Sequence, residues 1–446
     1  QAEDGIRDLV RSRGLGDVYK RQDLSYNKHD REGRFGPLAK KHVVGIIAEY
    51  NPFHNGHLYH MKRAVETTEA QAVVVVLSSS FVQRGEPAFT DKWNRTDMAL
   101  KGGASLVIEL PVAFSCHNAG VFGSAAVDLL FSTGVVTDLS FGMEDTEAPL
   151  EQIAKALIAE PPEFKKTLKA LLAEGFSYAE ARATAADVVI PGARSVLSSP
   201  NNTLALEYVS RIVARDYCIR PLPVKRLGEG YHSETLDPFA SASLVRKSVR
   251  SFGKVDAATE ALPEWSQSLI ELEISRGRCL LSLDLYWRIL SSILIREDPE
   301  TMAGHAEMKE GMENLLAAKA RHCKSFDDFT GACTSRRYPK SRIQRHAAHV
   351  LLNYGHRLNR RAQREGPPYI RVLGFDDKGA EILRSMRETA LLPVVFHPRG
   401  RPGTYQRDIA DLEYRASAIW ENIVSSPDHG RESRKPPVRP DLDPCR

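Results

Sequence analysis

Three short runs of nearly continuous apolar residues constrain the fold of this chain more than any other feature of its sequence. They lie at residues 43–48, 72–77 and 105–110 and read VVGIIA, AVVVVL and SLVIEL. Strands that are buried on both faces of a parallel sheet have such continuous apolar sequences. Helix-like segments separate the runs, at residues 57–68 and 95–101. This alternation predicts an α/β fold with a doubly wound parallel sheet.

The first domain is predicted to be Rossmann-like and to span residues 42–255. A weaker apolar run at 138–141 adds a fourth strand, and an Ala- and Glu-rich stretch at 149–189 reads as a helical insertion. A further helix at 202–216 and a strand at 222–227 complete the predicted domain.

A second, mainly α-helical domain is predicted over residues 264–400, because helical periodicity dominates there. Residues 369–375 and 393–396 are predicted to be short strands within it. Residues 1–41 are charged and lack a sustained apolar period, which predicts a disordered or non-native leader. Residues 425–446 are rich in Pro, Arg and Asp and are predicted to be a disordered tail.

The composition indicates a soluble globular protein, since 42% of the 446 residues are hydrophobic and 26% are charged. No stretch approaches the roughly 18–20 apolar residues of a membrane helix, so we predict a cytoplasmic protein without membrane contact. The six cysteines are scattered and form no CxxC pair, so neither a metal site nor a disulfide is predicted. The formal net charge of +4 is too small to identify a nucleic-acid partner.

The segment richest in candidate functional residues follows the first apolar run, where residues 49–60 read EYNPFHNGHLYH. Open α/β sheets bind ligands at the carboxyl ends of their strands. Gly56 lets the backbone approach a phosphate, and the helix that follows offers free N–H groups to it. His54 and His57 can donate hydrogen bonds to a triphosphate and stabilise charge that develops at its α-phosphorus. The alternative is that both are turn and cap histidines without a catalytic role.

A second segment with phosphate-binding potential reads SASLVR at residues 241–246. Ser241 and Ser243 can cap a helix, and Arg246 in its first turn would point toward the same phosphate region. An ordinary capped helix is the alternative. A dinucleotide-binding site is disfavoured because no G-x-G-x-x-G follows the first strand, and a P-loop is also absent from the sequence.

The His-x-Gly-His pattern and the Ser-rich segment with its arginine resemble the two signatures of the nucleotidyltransferase superfamily. Further strings are too particular to be generic: FVQRGEPA at 81–88, KWNRT at 92–96, FGME at 141–144, PNNTL at 200–204, KR at 225–226 and GYH at 230–232. With residues 49–60 they resemble the bacterial tRNA(Met) cytidine acetate ligase family, and the likeness runs from about residue 43 to residue 396.

The resemblance implies a two-step reaction. Acetate and ATP would give acetyl-adenylate and pyrophosphate, and the acetyl group would pass to N4 of the wobble cytidine, C34, of elongator tRNA(Met). His54 and His57 would be catalytic. The implied ATP-binding residues are Ile47, Ala48, Glu49, Tyr50, Asn51, Pro52, Phe53, His54, Asn55, Gly56, His57, Leu58, Tyr59, His60, Gly142, Asn201, Arg226, Ser243 and Arg246. Without the resemblance, Gly142 reads as a turn glycine, Asn201 as a helix cap and Arg226 as a surface residue.

Attack by a carboxylate on the α-phosphorus requires charge neutralisation and alignment rather than a covalent nucleophile. Lys92 and Arg95 are further candidates for that neutralisation. Mg²⁺ is expected to arrive with ATP, because no cluster of carboxylates marks a dedicated metal site. Ser79 stands where the family usually has glycine, which bears on the close backbone packing of that turn.

Basic residues are concentrated at residues 319–347, where Tyr338 lies among them. Phosphate contacts beside an aromatic ring are typical of RNA binding. The predicted tRNA-binding residues are Arg336, Arg337, Tyr338, Lys340, Arg342 and Arg345. A solvated basic face is the alternative, and the sequence predicts no oligomeric state.

Two other functions compete with an acetate–tRNA ligase. A nucleotidyltransferase that adenylylates a small metabolite would explain the His-x-Gly-His turn but not the basic segment. A non-enzymatic RNA-binding protein with an inactive nucleotidyltransferase fold would explain the basic segment, but it is disfavoured by the intact His54, Gly56, His57 and Arg246.

Overall fold

A seven-stranded sheet organises the computed structural model, which describes residues 42–227 and 237–440. The strands follow the order β5-β4-β1-β2-β3-β6-β7. Their bounds are β1 Val43–Ala48, β2 Ala72–Ser78, β3 Leu106–Leu110, β4 Asp138–Met143, β5 Arg220–Lys225, β6 Ile370–Phe375 and β7 Val394–Val395. Strands β1 to β5 run parallel to one another, whereas β6 is antiparallel to β3. The predicted α/β fold with a parallel sheet is confirmed.

Helices connect and cover these strands. They are α1 Asn55–Thr68, α2 Lys92–Lys101, α3 Val112–Ser115, α4 Ala119–Ser132, α5 Leu150–Ala159, α6 Pro162–Ala173, α7 Tyr178–Val189, α8 Ala193–Ser198, α9 Pro200–Arg215, α10 Ala242–Phe252, α11 Glu264–Ser275, α12 Asp284–Arg296, α13 Pro299–Met302, α14 Met312–Ala320, α15 Phe326–Cys333, α16 Lys340–Leu351, α17 His356–Glu365, α18 Asp377–Thr389, α19 Tyr405–Asn422 and α20 Arg431–Arg434. None of these helices is long and apolar enough to cross a membrane.

Strand β2 shows why the sheet is buried on both sides. Its side chains alternate between two hydrophobic clusters, with Val74 and Val76 in one and Val73 and Val75 in the other. Helices α4 and α9 cover the first face, and α1 and α2 cover the second. A strand that is covered on both faces has to be apolar throughout, as this one is.

A strand of the predicted second domain belongs to the sheet of the first. Strand β6 pairs with β3 in the same sheet, so the segment 264–400 does not form a purely separate helical unit. The strand covers an edge of β3 that would otherwise expose unpaired backbone groups.

The prediction of a disordered tail at 425–446 is wrong for residues 425–440. Helix α20 lies in that stretch, its Glu432 is buried, and Val438 forms a bridge to Gly374 in β6. Burial of Glu432 is possible because Lys92 and Arg371 neutralise its charge. The leader at 1–41, the GYH string at 230–232 and residues 441–446 lie outside the described residues.

Candidate active site

The turn between β1 and α1 is shaped by the residues of the His-x-Gly-His pattern themselves. His54 is the N-cap of α1, and its Nδ1 accepts the backbone N–H of Gly56 at 3.0 Å. Three residues on, Nδ1 of His57 accepts the backbone N–H of His54 at 3.2 Å. The two histidines thus form a reciprocal capping box. A Cβ at Gly56 would lie 2.8 Å from Cε1 of His54, so any larger residue would displace that ring.

These hydrogen bonds fix the tautomers of both histidines. A neutral imidazole whose Nδ1 accepts a hydrogen bond carries its proton on Nε2. The rings of His54 and His57 stack with their centroids 3.7 Å apart. The turn therefore holds two adjacent Nε2–H donors at the carboxyl end of β1, where a ligand can accept from them.

Both histidines are uncharged near neutral pH. Burial, assisted by the positive charge of Arg226, lowers the pKa of His54 to about 3. Burial also holds the pKa of His57 well below its usual value, with smaller effects from His54 and Arg226. His60 has its pKa lowered to about 4, mainly by burial, and its Nε2 lies 2.9 Å from Oγ of Ser140 in β4.

The other predicted residues of this turn are packed around the histidines. Tyr50 and Phe53 are buried, and the Tyr50 ring contacts the His57 ring at a centroid distance of 4.9 Å. Asn55 donates from Nδ2 to the carbonyl of Glu260 at 2.8 Å. The Tyr59 ring lies 6.3 Å from that of Phe239, near the start of α10.

Gly142, Asn201 and Arg226 lie together, although the sequence separates them widely. Arg226 follows β5, and its Cγ lies 3.3 Å from the position that a Cβ on Gly142 would take. Glu144, which follows β4, accepts from Nδ2 of Asn201 at 2.6 Å and lies 3.9 Å from Nε of Arg226. Sequence reasoning did not assign a role to Glu144, although it lies in the FGME string.

The structure places Arg246 against the histidine turn. Its Nη1 donates to the carbonyl of Asn51 at 2.8 Å, and its Nη2 forms an ion pair with Glu86 at 3.2 Å. Ser241 caps α10, as predicted, and its hydroxyl lies 3.0 Å from that of Ser243. In this structure the Arg246 side chain therefore supports the turn by binding the backbone carbonyl of Asn51.

Lys92 and Arg95 are buried and already bound to protein groups, which contradicts their predicted role in neutralising phosphate charge. Both side chains are buried, and the guanidinium of Arg95 donates to the carbonyls of Glu49, Ser78 and Ser79. The ammonium of Lys92 is surrounded by buried carboxylates. Each cation serves the fold, Lys92 through ion pairs with these carboxylates and Arg95 through hydrogen bonds to backbone carbonyls.

The loop between β2 and α2 supports the histidine turn, which sequence reasoning did not foresee. The backbone N–H of Gln83 donates to Oε1 of Glu49 at 2.8 Å, and that of Phe89 donates to Oδ1 of Asn51 at 2.7 Å. Gly85 has a φ of +89°, and a Cβ there would lie 2.3 Å from the backbone nitrogen of Arg345. Only glycine fits where this loop meets α16. The FVQRGEPA string marks the loop in the sequence.

The predicted tRNA-binding residues divide into two groups. Arg336, Arg337 and Lys340 expose 66%, 63% and 50% of their side chains. Arg342 and Tyr338 are less exposed and bind Glu310, which Arg342 approaches to 3.3 Å and the exposed Arg337 to 3.6 Å. Arg345 is half-buried, and burial lowers its pKa.

The chain is similar to known proteins over most of its length. Residues 41–435 match the family model described as HIGH Nucleotidyl Transferase. The tRNA(Met) cytidine acetate ligase of Fervidobacterium nodosum is 37% identical over 357 residues, which cover 79% of this chain and 83% of that protein. The protein of the same name from Syntrophomonas wolfei is 33% identical over 406 residues, covering 88% of this chain and 97% of that one.

Two crystal structures of Thermotoga maritima TmcAL share the fold. The apo structure has a TM-score of 0.84, and the structure bound with alpha-thio ATP has a TM-score of 0.82. Each is 31% identical in sequence and covers 89% of this chain and 99% of that chain.

Proposed function

This chain belongs to the tRNA(Met) cytidine acetate ligase family, and from that premise we propose that it activates acetate with ATP and acetylates elongator tRNA(Met). The acceptor would be N4 of the wobble cytidine, C34, and the product N4-acetylcytidine. The observation that carries the proposal is the pair of neutral histidines, His54 and His57, whose Nε2–H groups lie side by side at the end of β1.

In the first step, an acetate oxygen would bond to the α-phosphorus of ATP as the bond to the β-phosphate breaks and pyrophosphate leaves. The Nε2–H groups of His54 and His57 would donate to triphosphate oxygens, and Arg226 would add positive charge beside them. Hydrogen-bond donors aimed at developing charge supply catalysis without a covalent nucleophile. The predicted ATP contacts, including Gly142, Asn201, Ser243 and Arg246, stay part of the proposal.

In the second step, N4 of the cytidine would attack the acetyl carbonyl, the bond to AMP would break, and a proton would leave N4. Water competes with this weakly nucleophilic amine for the mixed anhydride. We therefore propose that bound tRNA helps to exclude water from the edge of the sheet where the histidines lie.

We propose that Mg²⁺ binds with the triphosphate rather than in a protein site of its own. Among the described residues, the carboxylates of Glu109, Glu413 and Glu432 lie close enough together to share an ion. Lys92 and Arg371 already form ion pairs with these carboxylates, so the cluster does not fit a Mg²⁺ site.

The main test is pyrophosphate exchange into ATP with and without acetate, followed by transfer of labelled acetate to elongator tRNA(Met). Acetate-dependent exchange with transfer is the expected result. Exchange that ignores acetate would favour a nucleotidyltransferase acting on a small metabolite. RNA binding without any exchange would favour an inactive nucleotidyltransferase fold.

A separate test addresses the basic segment. We expect Arg336→Ala/Arg337→Ala to weaken tRNA binding and to lower the slope of log K against log salt by up to about 2, roughly one for each phosphate contact. Arg384→Ala/Arg387→Ala removes two exposed arginines from α18 and is the matched control. If both double variants bind tRNA like the parent, the segment is a solvated basic face.

A further inference from the structure

Glu144 connects three elements of the candidate site through one carboxylate. Its Oε1 accepts from Nδ2 of Asn201 at 2.6 Å, and its Oε2 accepts from Oγ of Ser199 at 2.5 Å. Nε of Arg226 lies 3.9 Å from Oε1. The backbone N–H of Glu144 donates to Oδ1 of Asn202 at 2.9 Å. The end of β4 is thereby tied both to the start of α9 and to the end of β5.

The chemistry of a carboxylate sets the direction of the Asn201 amide. An ionised carboxylate only accepts hydrogen bonds, whereas an amide has one accepting end and one donating end. Asn201 therefore turns its NH₂ group toward Glu144, and its carbonyl oxygen is left for another partner. A glutamine at position 144 would remove this preference, because its amide can meet either end of Asn201.

The exposure of the ion pair argues that its role is not to stabilise the fold. The side chains of Glu144 and Arg226 are 39% and 42% exposed. Ion pairs this accessible to water contribute little to stability. The pair instead brings together two side chains, Glu144 and Arg226, that come from distant parts of the chain.

We infer that Glu144 is a positioning residue for ATP, which presents the carbonyl oxygen of Asn201 and the guanidinium of Arg226 to the nucleotide. This inference rests on the proposed function, through the ATP contacts assigned to Asn201 and Arg226. A carbonyl oxygen accepts hydrogen bonds, so the nucleotide group at Asn201 is a donor. ATP offers two kinds of donor there, its ribose hydroxyls and its adenine amino group.

Isothermal titration of the full chain with ATP, without acetate or tRNA, tests the inference on Glu144→Gln. Loss of hydrogen bonds to a charged group predicts that Kd rises about ten-fold. Glu147→Gln removes one charge from an exposed position three residues away and should bind ATP like the parent. The thermal midpoint of both variants should match that of the parent. In pyrophosphate exchange, the change should fall in KM for ATP rather than in kcat.

Two ATP analogues identify the donor. The parent should bind 2′-deoxy-ATP or purine riboside triphosphate, which lacks the adenine amino group, more weakly than ATP. Whichever analogue the parent binds more weakly lacks the group that donates to Asn201. Glu144→Gln should bind this weaker analogue and ATP with similar affinity, because its Asn201 amide is free to turn. An ATP affinity unchanged by Glu144→Gln, or weakened equally by Glu147→Gln, would overturn the inference.

The titration separates this inference from the proposed function. A ten-fold weaker affinity in Glu144→Gln supports the positioning role even if the parent transfers no acetyl group to tRNA, a result that would refute only the proposed function. Conversely, full acetyl transfer by the parent together with unchanged ATP affinity in the variant would refute only the positioning role.

Discussion

Replacing Lys92 with methionine tests whether this lysine serves the fold or the substrate. Its Nζ lies 2.5 Å from Glu109, 2.9 Å from Glu413 and 2.8 Å from Glu432, and its side chain is only 2% exposed. Methionine keeps most of the side-chain volume but removes the charge that faces three buried carboxylates, of which Arg371 still pairs with Glu109 and Glu432. The variant therefore isolates the contribution of the buried charge.

The size of the effect follows from the pKa values of these carboxylates. Lys92 and Arg371 outweigh burial and lower the pKa of Glu432 from 4.5 to about 2. Such a shift corresponds to about 3 kcal/mol of stability at pH 7, to which both cations contribute. Lys92 also neutralises Glu109 and Glu413, so we expect Lys92→Met to lower the free energy of unfolding by about 3–5 kcal/mol.

The loss should depend on pH, with a definite sign. Burial and the nearby Glu109 already raise the pKa of Glu413 to about 7 in the parent. Loss of Lys92 would raise it further and would also raise the pKa of Glu432, so both carboxylates would hold more protons in the folded variant. A folded state that binds more protons gains stability as pH falls. The difference between parent and variant should therefore shrink by about 1 kcal/mol or more between pH 7.5 and pH 5. Glu413→Gln in the variant background should remove part of both the loss and its pH dependence.

Urea denaturation at the two pH values measures these free energies. Lys101→Met on the same helix is the matched control, because its side chain is 39% exposed and its ion pair with Asp97 is 3.6 Å long. The control should lose less than about 1 kcal/mol. If Lys92→Met is as stable as the parent and instead raises KM for ATP, then Lys92 binds phosphate and the reasoning is refuted.

Three further predictions concern the histidines and Ser79. Replacing His57 with alanine should lower kcat of acetate-dependent exchange about 100- to 1000-fold, and steady-state kinetics at unchanged circular dichroism would show it; a loss confined to KM would contradict the catalytic role. Ser79→Gly removes a donor to Glu413 and should lower the unfolding free energy by about 1 kcal/mol; a more stable variant would argue against that bond. Burial lowers the pKa values of His346 and His349 from 6.5 to about 3 and about 4. The unfolded chain therefore binds more protons below pH 6.5, and each histidine should lower the free energy of unfolding by up to about 2 kcal/mol between pH 6.5 and pH 5. Urea denaturation of His346→Gln should show a shallower dependence of this free energy on pH than the parent, and an equal dependence would count against this assignment.

Much of the fold could be predicted because its signals are local. The apolar runs at 43–48 and 72–77 each form a strand, since so short a continuous apolar sequence is typical of a strand buried on both faces. The position of β6 was not predictable in the same way. Its pairing with β3 joins segments more than 250 residues apart, and no periodicity within either strand reveals its neighbour.

The buried charges show the same limit. An unpaired charge in a protein interior costs too much free energy, so the sequence around each residue alone does not predict the ion-paired burial of Lys92, Glu109, Arg371, Glu413 and Glu432. They are tolerated only together, and the five come from five different elements. That is also why Lys92 looked like a phosphate ligand in the sequence, and why the segment around Glu432 looked disordered.

In the candidate site, too, some features could be predicted from local sequence and others depend on distant residues. The tautomers of His54 and His57 depend on hydrogen bonds that span two and three residues, so the spacing His-x-Gly-His is enough to predict two Nε2–H donors at the start of a helix. Their low pKa values, in contrast, depend on burial and on Arg226, which reaches the turn from another strand. A bound triphosphate would oppose both effects, because its negative charge favours protonated histidine. The local spacing of the residues therefore determines the tautomers of the two histidines. Their charge state during the reaction is determined by distant residues and by the ligand.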